Sequence, residues 1–269
     1  MPLGFISGGG GSSPEELFRS LPPISKGLLV SMVGMMLSQS LGIFKGYQFF
    51  TLSWPLVWRR FHAWRLLTCV VYPGAPSFGA LMHIYVTTMY AVRYEKDGFN
   101  TGGGGSSADF AFMLTFGVII METVELLLFY KATIVFGPAI YFYICYVWSR
   151  KNPGMTVSFW GLPITAVYVP WVMVGISMLL GQSIHMALLG IAVGHLYYFL
   201  VDVLPDMHDI DLLRTPKLLV DIFGWGRGGT GVNLERPGMP APGVVQPPRD
   251  IPSTGRPAQW GQGRTLGSS

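Results

Sequence analysis

The chain has 269 residues, of which half are hydrophobic and only 12% are charged, and its mean hydropathy is +0.44. Because soluble domains carry about 25% charged residues, this composition predicts an integral membrane protein and argues against a soluble one. The net charge of +4 comes from Lys and Arg that form no run of four or more, so nucleic-acid binding has little support. Cys69 and Cys145 lack the pattern of a disulfide framework or of zinc ligands, and nothing predicts a metal or a cofactor.

Residues 1–25 are predicted to form a cytosolic arm. They are rich in proline and contain the tract Gly-Gly-Gly-Gly-Ser-Ser at 8–13, without the apolar core and cleavage site of a secretory signal. Residues 15–21 predict a short amphipathic helix on the membrane surface, because Pro14 suits a first helical turn and Pro22 ends the helix.

Six apolar segments follow, each limited by charged residues, prolines or glycines. Most approach the roughly 20 residues with which a helix crosses the hydrocarbon of a bilayer. We therefore predict an all-α, polytopic membrane bundle of six helices over residues 26–204. Tyr130 and Lys131 are predicted to form the turn between the third and fourth helices. The predicted segments are 27–44, 78–92, 110–129, the stretch between Lys131 and Arg150, 161–180 and 184–204.

Loop charges predict the orientation of this bundle. The arm, the second and fourth loops and the C-terminal region carry thirteen Lys and Arg, whereas the other loops carry five. An even number of spans places both termini on one side, and the positive-inside rule predicts that this side is cytosolic. Residues 205–224 are predicted to be a cytosolic segment after the last helix.

The first loop, residues 45–76, departs from that rule and is predicted to lie at the membrane interface. On a helix, Trp54, Trp58 and Phe61 would share one face, which is typical of an interfacial helix. An ordinary aromatic anchor explains the same pattern. Arg65 directly precedes an apolar run, so its guanidinium must reach the interface, find a partner or thin the bilayer locally.

The sixth segment has one face of small residues. Ser183, Ala187, Gly190 and Gly194 recur at helical spacing, which lets another helix approach closely in lipid. We therefore predict that this helix lies at the centre of the bundle. A role as simple packing surface is the alternative for so short a pattern.

Two acidic residues interrupt the third segment. Glu122 and Glu125 are three residues apart and thus share a helix face within apolar sequence. A buried carboxylate is costly unless it is protonated, paired or hydrated. Two interpretations stay open: the acids lie at the luminal end of the span near Lys131, or they line a hydrated cavity.

The last 45 residues differ from the rest of the chain. Residues 225–269 are rich in Gly and Pro and poor in apolar residues, which predicts disorder. Residues 260–267 combine an aromatic residue, an arginine and a leucine with glycines, as in a short linear motif that binds a partner. The tract 102–107 repeats the tract 8–13 letter for letter, so we expect a mobile second loop, whether the spacer is natural or engineered.

Several short motifs, in order along residues 18–216, resemble those of the derlins, rhomboid-like pseudoproteases of endoplasmic-reticulum-associated degradation. Each motif is weak alone, but together they are specific. The motif residues that we carry forward are Trp64, Arg65, Gly190, Gly194 and His195. The motifs are Trp64-Arg65, Ala108-Asp109-Phe110-Ala111-Phe112-Met113-Leu114, Val157-Ser158-Phe159-Trp160, Tyr168-Val169-Pro170-Trp171 and Gly190-x-x-x-Gly194-His195-Leu196-Tyr197.

This resemblance implies a location in the endoplasmic reticulum membrane, binding of misfolded proteins and transfer of these clients to the cytosol. It also implies a membrane-embedded ubiquitin ligase complex as a partner, and it leaves a homo-oligomer open. The tail motif resembles the SHP box, which binds the N-terminal domain of the valosin-containing-protein AAA+ ATPase. Its residues here are Trp260, Gly261, Gly263, Arg264, Leu266 and Gly267.

The resemblance also bears on catalysis. True rhomboids use a Ser in a Gly-x-Ser-x motif on the fourth span, activated by a His on the sixth. Residues 132–143 contain no serine, and Ala187 stands at the position of the rhomboid histidine. We therefore predict a pseudoprotease, in which His185 and His195 have structural roles. An active intramembrane protease and a passive adaptor for the ATPase are the alternatives.

Overall fold

The computed structural model describes residues 14–44, 47–128, 130, 133–159, 162–179, 181–208 and 212–223. The predictions for the tracts before Pro14, for Lys131 and for the tail with its motif at 260–267 lie outside these residues. The helices of the described part are α1 (Pro14–Arg19), α2 (Pro23–Ser40), α3 (Trp54–Arg60), α4 (Trp64–Val71), α5 (Phe78–Lys96), α6 (Ser107–Leu128), α7 (Gly137–Lys151), α8 (Val169–Leu179), α9 (Ile184–Tyr198), α10 (Leu204–His208) and α11 (Lys217–Phe223), and the strands are β1 (Thr156–Phe159) and β2 (Leu162–Thr165).

The predicted helical fold class is confirmed, and a helix overlaps each predicted span: α2, α5, α6, α7, α8 and α9 in turn. Among the described residues, two helices are long and apolar enough to cross a membrane by themselves. One is Ser107–Leu128 and the other is Ile184–His208, in which a π-helical turn joins α9 to α10. Ala166–Leu179 is apolar but shorter. The number of spans therefore stays a prediction.

The start predicted for the fourth span, which corresponds to α7, is wrong. Residues 133–136 are not helical, and Ile134 pairs with Leu52 of the first loop as an isolated antiparallel bridge. The helix begins only at Gly137, where Pro138 suits a first turn. The connection after α6 is therefore longer than the predicted turn at Tyr130 and Lys131, because a backbone pairing across the loops competes with helix formation there.

Helix α8, which corresponds to the fifth predicted span, also begins later than predicted. Residues 162–165 form β2 of a β-hairpin in which β1 pairs with β2 antiparallel, with Thr156 opposite Thr165. β-branched residues favour this extended backbone, and Pro163 opposes a helix interior. A 3-10 turn, Ala166–Tyr168, then leads into α8.

The centre of the bundle is α7 rather than α9. Every residue from Ala139 to Ser149 is buried, whereas α9 exposes Leu188 and Leu196 to the surroundings. Large aromatic side chains of α7, such as Phe142 and Tyr143, fill the space between the other helices. The prediction that the small-residue helix is central is thus wrong: α9 packs along one side of α7.

The predicted aromatic face of the first loop is also wrong. Trp54 is only 9% exposed and belongs to the core, whereas Trp58 is 64% and Phe61 85% exposed. Phe61 follows the end of α3 in a left-handed conformation (φ 53°), which carries it off the helical face. Two of the three rings are thus available to the interface, and the third anchors the loop to the bundle.

Candidate functional site

The described loops gather at two ends of the helix bundle. Leu52 and Ile134 exchange backbone hydrogen bonds of 2.8 and 3.1 Å, which joins the first loop to the segment before α7. At the opposite end, Lys151 donates to Asp97 Oδ1 at 2.6 Å and to the Gly98 carbonyl at 2.7 Å, which joins the loops after α5 and α7. We call these the first-loop end and the second-loop end.

Arg65 organises the first-loop end. Its side chain is buried, and Nη1 donates hydrogen bonds of 2.7 Å to the carbonyl oxygens of Gln48 and Thr51. The neighbouring Trp64 stacks on His62 with ring centroids 4.3 Å apart. Arg65 was expected to reach the interface, find a partner or thin the bilayer, and the structure shows that it has a protein partner. Its guanidinium donates to backbone carbonyls of the first loop.

The small face of α9 packs against α7. A Cβ added at Gly190 would collide with the Ala139 carbonyl oxygen, and one at Gly194 would lie 3.0 Å from Tyr146 Cδ1. Ala187 is buried on the same face, but Ser183 precedes the helix and is exposed, so it does not belong to this contact. The close approach that the spacing predicted is therefore present over Ala187, Gly190 and Gly194.

His195 is part of the same helix contact. Its Nδ1 lies 2.9 Å from the Tyr146 hydroxyl, which also accepts a 2.9 Å hydrogen bond from Arg150 Nε. The position agrees with the structural role predicted for this histidine. Sequence reasoning missed a second glycine contact: a Cβ at Gly117 of α6 would enter the Tyr143 ring, whose hydroxyl donates to the Met113 carbonyl at 2.8 Å.

Glu95, which the sequence did not single out, caps α2. The carboxylate is buried and accepts four hydrogen bonds: from the amides of Ile24 (3.0 Å) and Ser25 (2.7 Å) and from the hydroxyls of Ser25 and Ser107 (both 2.6 Å). These amides belong to the first turn of α2, and N–H groups of a first turn have no hydrogen-bond acceptor within their own helix. Glu95 thus joins the starts of α2 and α6 to the end of α5.

Asp109 performs a similar task for the glycine-rich loop. It is fully buried and accepts from the Gly103 and Gly105 amides at 2.8 and 2.6 Å, and from the hydroxyls of Thr101 and Thr215 at 2.9 and 2.5 Å. Gly105 has φ +70°, a conformation that favours glycine. The expectation of a mobile second loop is therefore wrong, because the loop amides are held by this carboxylate.

Glu122 and Glu125 lie in α6 toward the first-loop end. Glu125 is 1% exposed, and its Oε1 is 4.0 Å from His185 Nε2 at the start of α9. Glu122, one turn earlier, is partly buried. No hydrogen-bond partner is present among the described residues for Glu122 Oε1 or for either carboxylate oxygen of Glu125. Lys131, the predicted neighbour, lies outside these residues.

Within the described part of the chain, no group of three or more His, Cys, Asp or Glu is placed to hold a metal ion. The carboxylates of Glu95 and Asp109 at the second-loop end each accept several hydrogen bonds, whereas among the described residues no donor reaches either oxygen of Glu125 at the first-loop end.

Comparison with known proteins gives the family. The profile of the Der1-like family matches residues 21–217. Derlin-2.2 of Arabidopsis thaliana is 33% identical over 218 residues, which cover 78% of this chain and 87% of the relative. The probable derlin-2 homolog of Dictyostelium discoideum is 32% identical over 214 residues (78% and 82%), and Derlin-1.1 of Zea mays is 33% identical over 240 residues (88% and 92%). The resemblance to the derlins is thereby confirmed, and the chain belongs to the Der1-like family of membrane proteins.

Proposed function

We propose that this chain is a catalytically inactive, rhomboid-like component of endoplasmic-reticulum-associated degradation. It binds misfolded proteins, helps to move them to the cytosol and recruits the valosin-containing-protein ATPase through its tail. The observation that carries the proposal is the Der1-like match over residues 21–217, together with identities of about a third to several derlins. Both termini face the cytosol in this proposal, and a membrane-embedded ubiquitin ligase is the expected neighbour.

The contact between α7 and α9 supports the absence of protease chemistry. A rhomboid needs a nucleophilic hydroxyl on the fourth span beside an imidazole on the sixth. In this chain the residue that faces Gly190 is Ala139, and the position of the rhomboid histidine is the buried Ala187. Neither alanine can supply a nucleophile or a base. An active enzyme would react with a fluorophosphonate probe, so the purified protein is expected to remain unlabelled.

Helix length supports a role in easing the passage of polar chain through lipid. α7 has 15 residues and α8 has 11, which correspond to about 22 and about 16 Å at the usual helical rise. These lengths fall short of the roughly 30 Å of a bilayer core, so the surrounding lipid is expected to thin. Spin-labelled lipids next to the protein test this step: lipid order equal to that of the bulk bilayer would remove it from the proposal.

The packing around α8 supports a lateral entry for clients. Among the described residues, α5 and α8 do not pack extensively, although a Cβ at Gly79 of α5 would lie 3.8 Å from Gln182, just after α8. The approach of Gly79 to Gln182 lies at the first-loop end. Trp171, near the start of α8, is half exposed and gives this side of the bundle an apolar rim. An apolar client segment fits such a rim better than a soluble ligand does.

A degradation assay separates this function from that of a passive adaptor. Gly190→Leu is expected to disrupt the contact with α7 and to stop degradation of a misfolded luminal reporter, because the added side chain collides with the Ala139 carbonyl. Gly175→Leu is the matched control, since nothing lies within 4 Å of a Cβ at Gly175 of α8. If Gly190→Leu left the reporter's half-life unchanged while the tail stayed intact, the adaptor would be the better description.

The tail motif has its own test. Trp260→Ala and Leu266→Ala are expected to abolish co-purification of the ATPase, whereas Gln262→Ala, between the two anchors, should preserve it. These residues lie outside the described part of the structure, so the proposal for them rests on the sequence. Equal recovery of the ATPase with all three variants would remove the motif from the proposed function.

A further inference from the structure

Helix α6 contains a buried carboxylate, that of Glu125, for which the described residues provide no hydrogen bond. Glu125 is 1% exposed, and both of its oxygens lack a donor, as does Oε1 of Glu122 one turn away. A buried polar group without a partner costs free energy, more so if it is charged. Native proteins rarely keep such groups unless they serve a ligand or a reaction.

The surroundings add a second, independent polar element. His185 Nε2 at the start of α9 lies 4.0 Å from Glu125 Oε1, and the side chain of His185 is 50% exposed. The buried acid of α6 is therefore next to a residue that reaches the surroundings of the bundle.

The depth of these acids limits what can reach them. Glu125 and Glu122 precede the end of α6 at Leu128 by three and six residues, or by about 4.5 and about 9 Å along the helix. Leu127 and Leu128, at the end of the same helix, are largely exposed apolar side chains. A ligand at this depth must therefore be compatible with hydrocarbon and yet provide a hydrogen-bond donor.

We propose that Glu122 and Glu125 form an acidic subsite that binds a Lys or Arg side chain in a membrane-embedded client segment. Such a side chain is costly in the hydrocarbon of a bilayer unless it finds a partner. A carboxylate at the same depth offsets this cost through a charge-assisted hydrogen bond. A client whose basic residue has lost its natural partner would thus be bound in preference to an apolar helix. The inference rests on the proposed function, since it names the clients that this site selects.

The test uses the full-length protein in lipid vesicles and synthetic single-span peptides of Leu and Ala. One peptide carries a Lys in the third of the helix nearest the first-loop end, and its partner carries Leu at that position. We expect the wild-type protein to bind the Lys peptide about tenfold more tightly. The double variant Glu122→Gln/Glu125→Gln should bind the two peptides equally. Thr123→Val, an exposed position on the same helix, should keep the tenfold preference.

Two outcomes would overturn the subsite: no preference for Lys in the wild-type protein, or a preference that survives in the double variant. Thermal unfolding of the variants is measured in parallel, because loss of binding with loss of stability would indicate a structural role and would also count against the subsite. Degradation of a misfolded luminal reporter without a spanning segment is measured in the same strains. Normal degradation alongside a failed peptide test overturns only the subsite, whereas failure of wild-type degradation overturns the proposed function.

Discussion

Buried carboxylates at the two ends of the bundle have opposite surroundings. At the second-loop end, Glu95 and Asp109 each accept four hydrogen bonds, from backbone amides and hydroxyls. At the first-loop end, Glu125 has no donor among the described residues. The difference teaches that burial alone does not assign a role to an acid. A carboxylate with all its donors holds the fold together, and one without donors is available to a ligand.

The largest effect on stability is expected from Asp109→Ala. Removal of this acceptor leaves the buried amides of Gly103 and Gly105 and the hydroxyls of Thr101 and Thr215 without their partner, which should lower the free energy of unfolding by about 3 kcal/mol. Unfolding in detergent micelles measures the change. Asp221→Ala, an exposed position on α11, is the control. A loss below about 0.5 kcal/mol would contradict the structural role.

Glu95→Gln should have a smaller effect, about 2 kcal/mol. The amide keeps the shape and one acceptor but presents an N–H to a position that already has donors. The measurement is the same unfolding experiment. Glu15→Gln provides the comparison, because Glu15 pairs with Arg19 at 2.8 Å on the exposed arm, where an ion pair contributes about 0.3–0.5 kcal/mol. Equal effects of the two substitutions would show that the cap on α2 is unimportant.

Arg65→Lys tests the hydrogen bonds of Arg65 at the first-loop end, which do not involve Glu122 or Glu125. We expect a loss of about 1–2 kcal/mol, since the shorter side chain of lysine does not bring its ammonium to the position of Arg65 Nη1, which donates to both the Gln48 and the Thr51 carbonyls. Limited proteolysis of the first loop should speed up in parallel. Arg59→Lys, an exposed residue of the same loop, should change neither quantity. Unaltered proteolysis in Arg65→Lys would mean that other contacts hold the loop.

The smallest effect is expected from Glu125→Gln. Because the carboxylate has no donors to lose among the described residues, neutralising it should leave stability within about 0.5 kcal/mol or increase it slightly. Thr123→Val is the control on the same helix. A loss as large as that of Glu95→Gln would erase the contrast between the two ends and would assign Glu125 to the fold.

Sequence predicted which segments are helical better than it predicted where they begin. Uncharged runs identify apolar helices because a helix that crosses lipid carries few charges. The late starts of α7 and α8 were missed because Ile134 pairs with a residue of the first loop and Pro163 lies in a hairpin. The first pairing depends on chain that is distant in sequence, so local propensity does not reveal it, whereas the hairpin is local and Pro163 was its available signal.

The candidate site was predictable only in part. The close packing at Gly190 and Gly194 follows from residue size and helical spacing, which are local properties. The capping roles of Glu95 and Asp109 were not predicted. In the sequence, an acidic residue beside an apolar segment looks the same whether its side chain faces water or caps another helix. One signal was available for Asp109: an acid in the first turn of a helix, just after glycines, is typical of a carboxylate that binds free amides.

The hydrogen bonds around Asp109 also determine how a mechanical load on the C-terminal chain would reach the helix bundle. Thr215 follows the last long helix, yet its backbone amide donates to the Thr101 carbonyl at 2.8 Å and its hydroxyl reaches Asp109. Tension applied to the chain beyond Phe223 would therefore arrive first at the joint between α5 and α6, before it reached α9. If a motor pulls on the tail, as the proposed function requires, this joint would protect α9 from being drawn out of the bundle.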